Sequence, residues 1–250
     1  TFTPERVAKW CRDQGLPDTV MKEFVDLYYE TAEPDIAPDL AHSLLSQVLI
    51  VEELSRCAGT TLPFQNDLFN LQIMSGFAGA AEAASIAEDY RADGRLMFAL
   101  AISEPEAGSA NQYMTTTATK KDGKIHINGT KTWVTSGENS DGFIVVCKNE
   151  DPSPENKQMS MYLVPANAKG VTIEPLNKIG MQIMPFSKVI FDDVVVDESA
   201  LLDIEGKGFL QLMKNFEWER CVLLAELLGE AQAAMDDACA WTNERQQFGK

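Results

Sequence analysis

The sequence predicts an α+β protein: an all-helical N-terminal domain, a middle antiparallel β-barrel or β-sandwich domain, and the start of a C-terminal helical bundle. Before about residue 95, apolar residues recur at spacings of three and four, which is the period of an amphipathic helix. Short β-type runs separated by turn residues follow, and the helical period then returns. These changes of period place the predicted domains at 1–95, 96–205 and 206–250.

The N-terminal region carries one clear helical stripe, formed by Leu44, Val48, Val51 and Leu54. These four side chains fall on one face of a helix and predict a segment over 38–57 that buries that face. The helix is expected to end at Ala58-Gly59, because glycine readily adopts the left-handed conformation that closes many helices. The same spacing predicts further helices over 18–30, 66–75 and 77–92.

The middle region alternates short strands with tight turns. Asp122-Gly123 and Asn128-Gly129 are the strongest hairpin signals in the sequence, because these residue types tolerate positive φ. No helical pattern separates the runs, which predicts antiparallel pairing in a barrel or sandwich. The predicted strands lie at 96–101, 114–119, 124–128, 131–135, 142–147, 159–164, 171–175 and 187–196.

From Gly208 onward a long helix is predicted, and two charges interrupt its apolar face. By spacing, Glu219 and Arg220 both lie toward that face. A buried carboxylate is a candidate general base, because desolvation raises its pKa toward neutrality. A structural ion pair at a helix–helix contact explains the same pattern. The predicted apolar face comprises Phe209, Leu212, Phe216, Leu223, Leu227, Ala231, Ala234 and Ala238.

Charge and composition exclude several classes of function. The formal net charge of −17 argues against nucleic acid or an anionic membrane as partner, because both bind basic surfaces. The five cysteines are scattered without a CxxC pair, so neither a disulfide framework nor a metal site is predicted. No apolar run approaches the ~20 residues of a membrane span. We therefore expect a protein that is not secreted, in a bacterial cytoplasm or a mitochondrial matrix.

Two segments of the middle region could bind a ligand. In the loop that contains Gly108-Ser109, backbone N–H groups and a hydroxyl suit a phosphate. Lys131, Trp133 and Thr135 would share one face of a strand, where an aromatic ring and a hydroxyl can hold a flat heterocycle. The alternatives are an ordinary loop and a core tryptophan.

Taken together, four motifs resemble those of the acyl-CoA dehydrogenase family of flavoproteins. The resemblance is close over 96–250, and the order of helical and β segments is also that of the family. It is weaker before residue 96, where the family's usual acidic-Gly-Gly turn is not found. The motifs are Ile102-Ser103-Glu104-Pro105-x-Ala107-Gly108-Ser109, Asn128-Gly129-x-Lys131-x-Trp133-Val134-Thr135, Phe191-Asp192-Asp193-Val194 and Arg245-x-x-Phe248-Gly249.

The resemblance implies a bound FAD and a set of contacts to it. Ile102 and Ser103 would contact the flavin ring, Trp133 would stack near the isoalloxazine, and Thr135 would bond its reactive edge. Gly108 and Ser109 would meet the flavin pyrophosphate, and Ser109 also the bound acyl-CoA. The resemblance further implies that Arg245 and Phe248 reach the flavin of a neighbouring subunit, so that the active form is a homodimer or homotetramer.

The resemblance also implies the reaction, an α,β-dehydrogenation of an acyl-CoA thioester in fatty acid metabolism. In a subset similar to isovaleryl-CoA and long-chain enzymes, the catalytic base directly precedes the Arg of the helix motif, here Glu219. It would abstract the α-proton while the β-hydride passes to the flavin, and an electron-transfer flavoprotein would accept the electrons. Arg220 would contact the CoA, with Glu217 near its adenine end.

Several departures from the family pattern leave alternatives open. Glu106 stands where the family has a glycine, and Ala110 stands where an acidic residue usually follows the Ser. Other family members carry the base in a last helical domain, which this sequence does not include, so we expect these 250 residues alone to be inactive. The alternatives are an enoyl-CoA reductase or flavin monooxygenase on the same scaffold, or a non-catalytic binding or assembly subunit.

Overall fold

The computed structural model describes residues 44–59, 69–70, 73–74, 98–150, 159–202 and 204–249. The chain divides into two compact units, one of residues 63–215 and one that combines residues 1–62 with 216–250. The helices predicted over 18–30 and 77–92 lie outside the described residues. The domain boundaries at 1–95, 96–205 and 206–250 remain a prediction.

Seven strands in the first of these units form a single mixed sheet, curved as a half-barrel. The sheet order is β1-β4-β2-β3-β7-β6, with β5 paired to the remaining edge of β4. The turn at Asp122-Gly123 is confirmed: both residues have positive φ and join β2 to β3. The strands are β1 (Phe98–Ala101), β2 (Thr117–Lys121), β3 (Lys124–Thr135), β4 (Gly142–Asn149), β5 (Met159–Pro165), β6 (Val171–Leu176) and β7 (Phe186–Asp197).

The prediction of a purely antiparallel β domain is wrong, because β4 pairs in parallel with both β1 and β2. The long connection over 102–116 carries the chain back, so that β1 and β2 run in the same direction. Residues 142–147 of β4 are all buried, as expected for a strand covered on both faces. The remaining pairings, β2–β3, β3–β7, β4–β5 and β6–β7, are antiparallel.

The core of this unit is one cluster of buried apolar side chains from β1–β5 and β7. Phe143 of β4 and Phe191 of β7 meet edge to face, with ring centroids 6.1 Å apart. This contact joins two strands that are not neighbours in the sheet and buries two large aromatic rings. Ser187 on β7 is also fully buried, and it lies against Gly137 in the turn that follows β3.

The other unit contains a helix α1 (Leu44–Ala58) and most of a long helix α2 (Gly208–Glu244), whose first turns up to Asn215 belong with the sheet. In α1, Val51 and Leu54 are buried, and Gly59 ends the helix at φ 62° with its N–H bonded to Ser55. The two helices approach closely at Gly229, where an added Cβ would lie 2.1 Å from the carbonyl oxygen of Glu52.

The apolar side chains predicted to line one face of α2 differ in their exposure. Leu212 is buried, but Phe209, Leu223 and Leu227 are 47%, 39% and 59% exposed. Apolar residues surround this helix on more than one side, so spacing alone did not identify the packed face. Among the described helices, none combines the length and apolar character that a membrane span requires. The residues that pack are Gln211, Leu212, Asn215, Val222, Ala225, Glu226 and Gly229.

Candidate functional site

The centre of the candidate site is a break in the pairing of β3 with β7. Lys131 pairs with Val189 and Val134 with Ser187, so two residues of β3 face one residue of β7. Thr132 and Trp133 form this β-bulge, and Trp133 lies in the left-handed region with φ 59°. Such a conformation is costly for a bulky residue and is often found at functional sites.

The bulge places the side chains around it on different sides of the sheet. Lys131 is completely buried, whereas 59% of the Trp133 side chain is exposed and Thr135 is half-buried. The prediction that Lys131, Trp133 and Thr135 share one face is therefore wrong for Lys131, because the extra residue changes the alternation of side chains. The result is an exposed aromatic ring with a half-buried hydroxyl two residues further on.

The loop 102–109 lies beside this bulge. Thr132 N–H donates to the Ser103 carbonyl at 2.8 Å, so the loop and β3 are directly bonded. Ile102 and Ser103 are half-buried, while Gly108 and Ser109 at the tip are exposed. A Cβ added to Gly108 would meet no atom within 4 Å, so its backbone faces open space. The structure thus brings Ile102 and Ser103 to the bulge and leaves Gly108 and Ser109 at the surface.

Beneath the loop lies a buried ion pair that the sequence did not reveal. Lys131 Nζ is 3.0 Å from Glu104 Oε1 and 2.9 Å from the Ile102 carbonyl. Burial alone would raise the pKa of Glu104, but hydrogen-bond donors of Thr116 and Thr115 and the charge of Lys131 lower it to about 2. Burial lowers the pKa of Lys131 and raises that of the adjoining Cys147 thiol to about 12. Glu104 and Lys131 each belong to one of the four sequence motifs, yet their pairing depends on the tertiary fold.

The second break in the β3–β7 pairing joins two of the motifs. Ile127 pairs with Val194 and Gly129 with Phe191, so Asn128 faces Asp192 and Asp193 together. Asn128-Gly129 therefore lies inside the continuous strand β3, opposite a β-bulge whose extra residue is on β7. The prediction of a hairpin turn at Asn128-Gly129 is wrong. Gly129 packs so closely on Thr116 that an added Cβ would lie 2.3 Å from its Oγ1.

The predicted base and CoA-binding residues lie on α2. Glu219 is half-buried, and burial raises its pKa although the charge of Arg220 acts in the opposite direction. Arg220 is exposed, with its guanidinium carbon 5.7 Å from the Phe216 ring centre, and Glu217 is exposed too. Of the two charges that spacing placed toward the packed face, the structure buries Glu219 in part and leaves Arg220 in solvent.

Arg245 and Phe248 lie beyond the end of α2. The Arg245 guanidinium is 5.3 Å from the Trp241 ring centre, and Phe248 is fully exposed at φ 53°. These two residues and the α2 residues belong to a different compact unit from the bulge and the loop.

The residues around the bulge fit the predicted FAD in their chemistry. The exposed indole ring of Trp133, on a backbone with positive φ, suits the face of a flat heterocycle. The Thr135 hydroxyl can bond the edge of such a ring, and the open Gly108-Ser109 backbone can bond a pyrophosphate. Within the described ranges, no group of three or more His, Cys, Asp or Glu side chains could hold a metal ion.

Comparison with known proteins gives two family matches. Residues 99–194 match the model of the acyl-CoA dehydrogenase middle domain, and residues 206–250 match that of the acyl-CoA dehydrogenase C-terminal domain. The first range contains the loop, both bulges and all seven strands except the outermost residues of β1 and β7. The second range contains the helix with Glu219 and Arg220.

Similar proteins agree with these matches. The chain is 32% identical over 255 residues to "Probable acyl-CoA dehydrogenase YdiO" of Escherichia coli K12, covering all of this chain and 66% of that protein. A solved acyl-CoA dehydrogenase of Slackia heliotrinireducens is 42% identical with a TM-score of 0.76, over 98% of this chain and 63% of its own. Butyryl-CoA dehydrogenase of Megasphaera elsdenii is 28% identical with a TM-score of 0.72, over 83% and 55%. The chain thus spans about two thirds of the length of these relatives or less.

Proposed function

The chain belongs to the acyl-CoA dehydrogenase family, a family of FAD-binding flavoproteins, and we propose that its protein oxidises the α,β-bond of an acyl-CoA thioester. The observation that carries the proposal is Glu219, a half-buried carboxylate whose pKa is raised by burial and which directly precedes Arg220. A general base with a raised pKa removes an α-proton more effectively than an ordinary carboxylate.

Residues around the β-bulge would hold the cofactor. Trp133 would lie against the flavin ring, and Thr135, Ile102 and Ser103 would contact its edge. Gly108 and Ser109 would bind its pyrophosphate through backbone N–H groups and the hydroxyl. When bound, FAD supplies the two-electron acceptor of the reaction. The strained, exposed Trp133 supports this assignment, because the protein maintains a costly conformation that presents a ring to a ligand.

Residues of α2 would act on the substrate. Glu219 would take the α-proton of the thioester on its carboxylate oxygen. Arg220, which is exposed, would bind the phosphates of CoA, with Glu217 near the adenine end and Ser109 contacting the acyl-CoA. A raised pKa of Glu219 also makes the proton easier to retain until the product leaves.

The partners follow from this function. We propose that an electron-transfer flavoprotein accepts the electrons, and that the active form is a homodimer or homotetramer. Arg245 and the fully exposed Phe248 would reach the flavin of a neighbouring subunit.

An absorption spectrum of the full-length protein, followed by anaerobic titration with a panel of acyl-CoA thioesters, tests the proposal. Bleaching of the flavin band by one thioester is the expected result, and it identifies the substrate class. A flavin that no thioester bleaches would instead indicate an enoyl-CoA reductase or a monooxygenase. Absence of flavin after reconstitution would indicate a non-catalytic subunit.

Glu219→Gln tests the assignment of the base. The variant should retain FAD, and the rate at which thioester bleaches the flavin should fall at least 100-fold, which is within the usual contribution of a general base to the rate. Glu244→Gln, the same substitution at an exposed position on the same helix, is the control and should behave as the parent. Unchanged bleaching in Glu219→Gln would remove Glu219 from the mechanism.

A further inference from the structure

The buried pair of Lys131 and Glu104 is the strongest feature of the site to which the proposed reaction assigns no role. The Lys131 side chain has no exposed surface and that of Glu104 is 3% exposed, with 3.0 Å between Nζ and Oε1. Nζ also donates to the Ile102 carbonyl at 2.9 Å. One ammonium group therefore holds both the backbone and a side chain of the loop that leads to Gly108.

The Glu104 carboxylate extends the cluster to a third segment. Its Oε2 accepts from Thr115 N–H at 2.6 Å and from Thr115 Oγ1 at 2.8 Å. Its Oε1 accepts from Thr116 N–H at 2.8 Å. The two ends of the connection over 102–116 are thereby held at one point on β3. Gly108 and Ser109, at the exposed tip of this connection, lie in the sequence between its two fixed ends.

A buried ion pair of this kind is a weak source of stability, because removing both charges from water offsets most of their attraction. Its more specific effect is geometric: the cluster fixes which atoms of three segments lie together. Lys131, Thr132 and Trp133 are consecutive residues of β3. The Lys131 ammonium donates to the Ile102 carbonyl, and the Thr132 N–H donates to the Ser103 carbonyl. The Trp133 indole that follows is exposed. The same three residues define both the loop position and the ring orientation.

We propose that Lys131 and Glu104 are a positioning pair that fixes the loop 102–109 against β3 and so sets the affinity of the protein for FAD. The inference rests on the proposed function, in which that loop binds the cofactor. Neither side chain touches the ligand, because both are enclosed by protein. Their effect passes through the Ile102 carbonyl and through Thr115 and Thr116.

The double variant Lys131→Met, Glu104→Gln in the full-length protein separates positioning from stability. Both charges are removed together, so neither is left buried alone, and the double variant should lose less stability than Glu104→Gln alone and stay folded. The FAD dissociation constant should rise at least tenfold, and amide hydrogen exchange over 103–109 in the FAD-free protein should become faster. A variant with parental FAD affinity and parental loop exchange overturns the proposal. The matched control is Lys120→Met, Glu198→Gln, an exposed ion pair at 2.7 Å that lies outside the loop and the bulge, and it should change neither quantity.

Thr115→Val provides a second test if the double variant does not fold. It removes one donor to Glu104 at an exposed position, so folding should be retained. The FAD dissociation constant should rise about threefold, with faster loop exchange, and unchanged values overturn the proposal. Thr119→Val is the control, because the Thr119 hydroxyl also bonds a carboxylate, that of Glu150, outside the loop.

The two proposals fail in distinguishable ways. A parent that binds FAD but is reduced by no thioester overturns the proposed reaction and leaves the comparison of FAD affinities intact. A parent that reacts with a thioester, alongside a double variant with parental FAD affinity and loop exchange, overturns the positioning role alone.

Discussion

Asn128 Oδ1 accepts a hydrogen bond from the Asp193 N–H at 2.8 Å, joining segments 65 residues apart in the sequence. Asn128 belongs to the motif that continues to Trp133, and Asp193 belongs to the motif Phe191-Asp192-Asp193-Val194. Asp193 has φ 47°, and its carboxylate lies 2.8 Å from His126 Nδ1. The hydrogen bond from His126 lowers the pKa of Asp193. Two motifs that are remote in the chain therefore form one bulge.

Asn128→Ala should destabilise the protein by about 1 kcal/mol, the usual net contribution of such a hydrogen bond. The left-handed backbone of Asp193 loses the acceptor that holds it. Urea unfolding of the full-length protein measures the change. Asn139→Ala, at an exposed position in the turn after β3, is the control and should change stability by less than about 0.5 kcal/mol. Equal effects in the two variants would show that the Asn128–Asp193 bond contributes nothing specific.

Gly129→Ala should be far more destabilising than Gly123→Ala. At Gly129 the new Cβ would lie 2.3 Å from Thr116 Oγ1 and 2.6 Å from its Cα, with φ at 152°. At Gly123 the φ is 74° and the space is open, so the cost is the conformational one of about 1 kcal/mol. Thermal unfolding compares the two, and similar midpoints would contradict the close packing of β3 on Thr116.

Trp133→Ala should weaken FAD binding by roughly 1–3 kcal/mol if the indole stacks on a flat ring. Its fold should be retained, because the side chain is 59% exposed and leaves no core cavity. Phe209→Ala is the control, since Phe209 is 47% exposed on α2 and belongs to none of the proposed FAD contacts. Fluorescence titration with FAD measures both variants. Parental affinity in Trp133→Ala would mean that the ring serves another contact.

The pH dependence of flavin reduction should reflect the raised pKa of Glu219. The base acts only when ionised, so kcat/KM should fall as the pH drops through the pKa of the free enzyme, at a higher pH than an ordinary Glu would give. Stopped-flow reduction with the best thioester over a pH series measures this limb. The residual rate of Glu219→Gln should lack it. The same limb in both proteins would assign it to another group.

The lowered pKa of Glu104 predicts that the stability of the protein depends on pH. Its pKa is lowered to about 2 in the folded protein, so its contribution is complete above the unfolded value and disappears as the pH falls toward 2. Relative to the parent, Glu104→Gln should be less stable by about 3 kcal/mol at pH 7, and the deficit should shrink below about pH 4. Urea unfolding at several pH values tests this, and a deficit that does not change with pH would exclude the ionised carboxylate as its source.

The sequence predicted the order of elements well where the signals were local. The period of apolar residues identified most strands and α2, and Asp122-Gly123 and Gly59 were correctly placed as a turn and a helix end. The motifs also identified the family, since ordered short motifs depend on residue identity alone. The roles of Ile102, Ser109, Glu219 and the other site residues stay predictions.

Tertiary structure decided the features that depend on long-range pairing. Asn128-Gly129 has the composition of a hairpin turn, yet it lies inside β3, because pairing with β7 continues on both sides of it. The parallel position of β1 and β2 beside β4 likewise depends on which edges β4 offers, and no local signal encodes that choice.

The contrast is sharpest at Lys131 and Trp133. The amino-acid sequence by itself determined that a lysine, a tryptophan and a threonine alternate on one strand, and that they resemble a flavin-binding motif. At the bulge, Lys131 points inward to Glu104 and Trp133 is exposed, so the two side chains do not share the face on which strict alternation would place them. Side chains alternate between the two faces of a sheet only while each residue pairs with one residue of the neighbouring strand. Where a bulge places two residues opposite one, the alternation is interrupted, and the pairing with the neighbouring strand decides where that happens.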